Sequence, residues 1–139
     1  MSVKATVKDY TKDVLSDLQR QGLQFVSEGG QAIRTEMILR ADGSVRTGNL
    51  KNSINTESFV EDGIPTSETG PTAEYAPYVE YGTGIYAADG TGRKTPWRYK
   101  DEEGNWHTTS GQEAQPFAEP GFQAAKPQVD RLAERLLRL

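Results

Sequence analysis

The N-terminal forty residues carry a helical repeat that limits what this chain can become. Val3, Val7, Tyr10, Val14 and Leu18 recur at steps of four, three, four and four, the spacing that places side chains on one stripe of a helix. Lys4, Lys8, Lys12, Asp9, Asp13 and Asp17 fill the opposite side, and Phe25, Val26, Ile33 and Met37 continue the stripe. Gly29-Gly30 interrupts it, and each glycine costs about 1 kcal/mol relative to Ala inside a helix. The pattern predicts one helix to about Arg40, with a kink or break at the glycines. Unbroken, about 35 residues would span roughly 50 Å. That is long for a 139-residue chain, so one end is expected to project or to pack on a neighbour.

The period then changes. Ala41-Asp42-Gly43-Ser44 reads as a turn and Val45 to Leu50 as a loop. From Ser53 the sequence alternates, with Ile54, Thr56, Ser58 and Val60 on one face of a strand. Asp62-Gly63 is a hairpin turn signal. A second strand is expected from Ile64 to about Thr69, with Pro65 suiting an edge and Gly70-Pro71 ending it. Ala73 to Tyr81 reads as a short helix closed by Gly82. Residues 82–95 carry Gly82, Gly84, Gly90 and Gly92 and are expected to form a mobile loop. Trp97 and Tyr99, then Trp106 and Thr108, alternate about the turn Asp101-Glu102-Glu103-Gly104, which predicts a second hairpin. Phe122, Ala125, Val129, Leu132, Leu136 and Leu139 form the apolar stripe of a final helix. Pro127 lies inside it, so the helix is expected to start or to kink there.

Composition narrows the function classes. Length suits one domain, 1–139. Hydrophobic residues make up 35% and mean hydropathy is -0.71, so much of the chain is solvated or waits for a partner. Net charge is -4 and the pI is about 5.1, which argues against binding nucleic acid through a general basic surface. The charge is uneven. No Lys or Arg occurs between Lys51 and Arg93, a stretch holding Glu57, Glu61, Asp62, Glu68, Glu74, Glu80 and Asp89. Such a stretch is a solvated acidic face, or a surface that meets a basic partner or repels DNA. There is no cysteine, so disulfides and thiolate metal sites are excluded. The N-terminus has no apolar signal core, and no run of about 18 apolar residues would span a membrane.

The residues offer little for catalysis. His107 is the single histidine, with no nucleophile-elbow motif to support a triad and no zinc-ligand spacing around it. Asp101-Glu102-Glu103 lie side by side in a turn, whereas an acid/base pair must face a substrate from environments that separate their pKa values. Gly90-Thr91-Gly92-Arg93-Lys94-Thr95 fails the phosphate-loop pattern, because Arg93 separates Gly92 from Lys94. Arg93, Lys94, Arg98 and Lys100 could still meet phosphate or an acidic partner. No catalytic residue, metal or cofactor is expected. The segment Tyr75 to Gly84 is different. Tyrosine combines a large contact area with a polar tip and is enriched at protein interfaces. Tyr75, Tyr78, Tyr81 and Tyr86 are therefore split between capping the core and meeting a partner.

Three blocks give a specific resemblance. They are Arg46-Thr47-Gly48-Asn49-Leu50-Lys51-Asn52-Ser53-Ile54, then Gly70 to Thr83 with its Tyr75-Ala76-Pro77-Tyr78-Val79-Glu80-Tyr81-Gly82-Thr83 core, then Ala114-Gln115-Pro116-Phe117 with Pro120 and Phe122. In this order they resemble the neck and tail-completion (head–tail joining, minor tail) proteins of long-tailed bacteriophages and prophages. Gly121, where that family usually has Ala, and Pro127 depart from the pattern and bear on the geometry of the last helix. The resemblance implies an α+β fold: a long N-terminal helix, a small antiparallel β-sheet of about four strands with a short helix and a long loop, and a C-terminal helix packed on the sheet. It implies a non-enzymatic structural virion protein, assembled in the host cytoplasm. It also implies a ring of six or twelve identical subunits around the DNA channel in the virion, joining head to tail, with the isolated chain either a ring or a monomer until its partner is present. Partners would be other copies of the chain and neighbouring neck, connector and tail-terminator or tail-tube proteins. DNA would pass without sequence-specific binding; in such a ring the charge map places the acidic stretch 57–89 partly on the channel or on the face opposite the tail's basic surface. Tyr75, Tyr78, Glu80, Tyr81, Thr83, Tyr86, Arg93, Lys94 and Trp97 are the expected interface residues. The alternative is a DNA-binding accessory protein using the basic, aromatic stretch 93–106.

Overall fold

The computed structural model describes residues 2–41 and 48–137. The turn expected after Ala41, most of the loop that follows it, Arg46 and Thr47 of the first block, and Leu139 lie outside them. The element order is α1 (Thr11–Ala41), α2 (Asn49–Ser53), β1 (Ile54–Glu61), β2 (Ile64–Pro71), α3 (Ala76–Tyr81), a short 3-10 turn (Gly84–Tyr86), β3 (Trp97–Lys100), β4 (Trp106–Thr109) and α4 (Ala118–Leu136). The expected α+β class is the one adopted.

α1 starts at Thr11, not near Val3. An Asp9 carboxylate oxygen accepts hydrogen bonds from the Thr11 amide and hydroxyl, and the helical ladder opens with Val14 N donating to Tyr10 O at 2.9 Å. A short polar side chain that satisfies a free amide marks a helix start, because it competes with a further helical turn. α1 then runs unbroken through Gly29 and Gly30. The glycines mark close approach instead of a kink. A Cβ on Gly30 would collide with the hydroxyls of Thr56 and Ser67 on the β1–β2 hairpin, while Gly29 faces Val129 of α4.

β1 and β2 pair antiparallel from Ile54↔Pro71 to Glu61↔Ile64. β2 therefore continues through Gly70-Pro71 instead of stopping at Thr69; in a two-stranded ladder every residue is at an edge, where Pro is tolerated. β3 and β4 form a separate two-stranded sheet, so the four strands among the described residues are not in one sheet. α2 replaces part of the predicted loop, and Ser53 ends it instead of opening β1.

α1 packs on both strands of the first hairpin and along α4. The two helices run antiparallel: Arg135 Nη2 meets Glu28 Oε2 at 2.8 Å, while Gly121 sits against Met37 further along. A Cβ at Gly121 would lie 2.8 Å from Met37 N and Cα, which gives this departure a physical reason. α4 continues through Pro127 from Ala118 to Leu136, neither starting nor ending there. The main core lies at the C-terminal end of α1, where Met37, Ala41, Leu50, Ile54, Ala76, Val79 and Phe117 form one buried cluster. The three sequence blocks meet in it: Leu50 and Ile54 from the first, Ala76 and Val79 from the second, Phe117 from the third.

Candidate functional site

α3 divides its side chains by helical spacing. Ala76, Val79 and Glu80 turn inward and are buried, while Tyr78 and Tyr81, three residues apart, are both exposed. Glu80, expected at the interface, belongs to the interior; it is 7% exposed. One oxygen accepts from Phe117 N at 2.7 Å and Ala118 N at 2.9 Å, the other from Glu119 N at 3.1 Å. These are the amides of the first turn of α4, which no intrahelical carbonyl can satisfy. A carboxylate there also complements the positive end of the helix dipole. Glu80 is thus a cap supplied from 37 residues away. Sequence spacing alone could not show that.

Beyond α3 the loop expected at 82–95 contains a single 3-10 turn, and its first half is tied down by backbone hydrogen bonds. Thr83 N donates to Gln112 O at 2.9 Å, Ile85 N to Ser110 O at 3.0 Å and Ala88 N to Tyr81 O at 2.9 Å. Gln112 N in turn donates to Thr83 Oγ1 at 2.9 Å. Gly84 adopts φ 61° and is buried; a side chain there would run into the Ser110 carbonyl. Glycine is needed for backbone to lie on backbone.

Between α3 and this folded segment lies a pocket of about 550 Å³. Tyr78, Tyr81, Thr83 and Arg93 of the expected interface residues line it together. Pro77, Gly82, Gly84, Ala87, Ala88, Asp89, Thr91 and Gly92 complete the lining and were not foreseen, because their meeting depends on the 83–112 pairing. The Asp89 carboxyl is held below its ordinary range by the Thr91 amide, then the Thr91 hydroxyl, with a smaller contribution from Lys94. Tyr75 and Tyr86 are exposed but outside the lining. Trp97 is half-buried, with the Arg93 guanidinium 5.7 Å from its ring centroid.

The β3–β4 hairpin forms an arm that packs mainly on itself. Its register places Arg98 opposite Thr108 and Lys100 opposite Trp106. Arg98 and Lys100 lie 5.1 and 5.9 Å from the Trp106 ring centroid, so one face is basic and aromatic. On the other face Tyr99 stacks on His107 at 5.2 Å. Asp101 ties the tip, accepting from Asn105 N at 2.7 Å and pairing with His107 Nε2 at 2.7 Å. The His107 bond, then the Asn105 amide, hold the Asp101 carboxyl below its ordinary range. Trp106, absent from the expected site residues, becomes legible once strand alternation is combined with the turn length.

These surfaces offer ring faces, hydroxyls and paired cations, which suit polypeptide contact. Among the described residues, no group of three or more His, Cys, Asp or Glu could hold a metal ion, and no helix is long and apolar enough to cross a membrane.

No curated protein and no solved structure matches the chain. A family model described as "Bacteriophage HK97-gp10, putative tail-component" matches residues 3–82, which takes in α1, the first hairpin and α3 with its Glu80 cap. The chain belongs to this HK97-gp10-like family of bacteriophage tail components.

Proposed function

We propose that the protein is a structural subunit of the phage neck, forming a ring of identical copies that joins the DNA-filled head to the tail. The observation that carries this reading is the amount of binding surface a single copy leaves uncovered. Tyr78 and Tyr81 are 61% and 62% exposed beside the pocket, and the β3–β4 arm stands off the body with Trp106 exposed. The pocket and the arm are distinct patches, bridged by Arg93, which lines the first and lies over Trp97 of the second; two distinct patches suit a heterologous contact, in which one patch meets a different patch of the next copy and the ring closes. Tyr75, Tyr78, Tyr81, Thr83, Tyr86, Arg93, Lys94 and Trp97 would form the contact with neighbouring copies or with adjoining neck and tail subunits. The chain would act in the virion, after assembly in the host cytoplasm.

The acidic side suits a DNA channel. Glu57 and Glu68 sit directly opposite each other across β1–β2, an arrangement that costs stability. Glu61 and Asp62 are exposed at the turn. A channel wall of this sign would let DNA slide without sticking.

The test is imaging of particles that carry Tyr78→Ala/Tyr81→Ala. Heads and tails that accumulate unjoined support the reading, whereas normal joining with the altered chain absent from the neck would overturn it. A second reading follows from the arm, whose Arg98, Lys100 and Trp106 face could bind DNA directly. That reading requires a DNA shift by the isolated chain that weakens with salt in proportion to the phosphates met, and that Lys100→Ala lessens.

A further inference from the structure

α1 is longer than the elements that pack on it. Its 31 residues reach about 46 Å. The β1–β2 turn ends level with Gln19 and Gly22: Gln19 Nε2 donates to Gly63 O at 3.4 Å, and Gly22 faces the Pro65 ring. α4 stops sooner, where Arg135 pairs with Glu28. The first two turns of α1 therefore overhang the body, preceded by residues 2–10 with no helix or strand.

The apolar repeat does not stop where its cover does. Val14, Leu15 and Leu18 are 52%, 60% and 41% exposed, and Val3 and Val7 are almost fully so. Ile64, on the hairpin turn beside this end of α1, is also exposed. A run of apolar side chains left in water on a projecting helix marks a contact surface.

The charges beside the stripe indicate what covers it. Lys4, Lys8 and Lys12 form one row at steps of four, and Asp9, Asp13 and Asp17 form another. On a helix these rows run along opposite flanks of the stripe. Two such segments lying parallel bring the lysine flank of one against the aspartate flank of the other; antiparallel packing would set lysine against lysine. A partner of one charge sign would match one flank and be repelled by the other. Copies of the same segment match both, one neighbour on each flank.

We propose that residues 2–10 continue α1 as a helix when copies assemble, and that these helices pack in parallel from copy to copy, the lysine flank of each against the aspartate flank of the next, with the stripes from Val3 to Leu18 turned to the same side and shielding one another. This rests on the ring reading above. Alone, the segment stays non-helical, because a short helix does not repay its ordering entropy without tertiary burial. Association offsets that entropy and opens the Asp9–Thr11 turn.

The experiment uses the full chain over a concentration series, with light scattering for mass and amide exchange for residues 2–10. Association should bring protection of those amides. Lys4→Glu/Lys8→Glu and Asp13→Lys/Asp17→Lys should each weaken self-association by about tenfold or more, as like-charge contacts do. An equimolar mixture of the two variants should regain most of the loss, since each supplies the flank the other lacks. Self-association that is indifferent to both variants, or that leaves residues 2–10 unprotected, overturns this inference and leaves the ring reading standing. A chain that stays monomeric at millimolar concentration overturns this inference, whereas the ring reading, which concerns the assembled virion, falls only if imaged particles lack the chain at the neck.

Discussion

The two halves of α1 share one apolar period and meet different fates. From Gly29 to Ala41 the helix is pressed between the first hairpin and α4, and Gly29, Gly30, Ala32, Met37 and Ala41 are buried. From Thr11 to Leu18 every residue is exposed. Amphipathicity states that a face is suited to burial; it does not state whether the chain itself supplies the cover. In the C-terminal half the cover is intramolecular and tight enough to require glycine. In the N-terminal half the same stripe outruns its partners.

The sharpest way to break this contrast is to loosen the tightly packed end. Glu80→Ala leaves three amides of α4 without an acceptor and should cost about 2–4 kcal/mol in urea unfolding. Glu80→Gln should recover part of it, because one amide oxygen can still accept. A loss well below 1 kcal/mol would show that α4 does not depend on this tie. Gly30→Ala is next. Ala is the better helix former by about 1 kcal/mol, yet the new methyl meets Thr56 and Ser67, and overpacking should leave a net loss of about 1–3 kcal/mol. A gain in unfolding midpoint would mean the hairpin yields. At the overhanging end, Val14→Ser and Leu18→Ser should change the stability of the isolated chain by no more than about 0.5 kcal/mol. A larger loss would show that the chain covers this face itself.

The smallest effect belongs to the arm and is local. Folding lowers the Asp101 pKa, so its ionised form adds stability above the unfolded value, and that contribution fades as pH falls through the folded value. The Asn105 amide signal should therefore move at acid pH before the body unfolds, followed by NMR titration, and Asp101→Asn should abolish that movement. Unfolding of arm and body at one pH would show the arm is not separate.

Much of this architecture is legible in the residues. Period 3.6 places α1 and α4, period 2 with Asp62-Gly63 and with Asp101 to Gly104 places both hairpins, and Gly82 closes α3. These are local signals, decided by neighbours a few positions apart. What misleads is glycine. Gly29-Gly30 reads as a break, because sequence reports the conformational freedom of glycine and not the side chains and backbone that will lie against it. Glu80 misleads likewise, since a carboxylate among tyrosines looks like surface until α4 arrives to be capped.

The amino acids by themselves determined the two long helices, α3 and both hairpins, though not α2 or the start of α1, together with which faces are apolar and that no thiol chemistry is available. Tertiary structure alone decided that Glu80 caps α4, that Gly30 and Gly121 are contact points, and that the first turns of α1 go uncovered. The physical reason is range. Periodicity and turn chemistry act within a few residues, whereas burial depends on which elements, set by chain length and turn position, reach a given face.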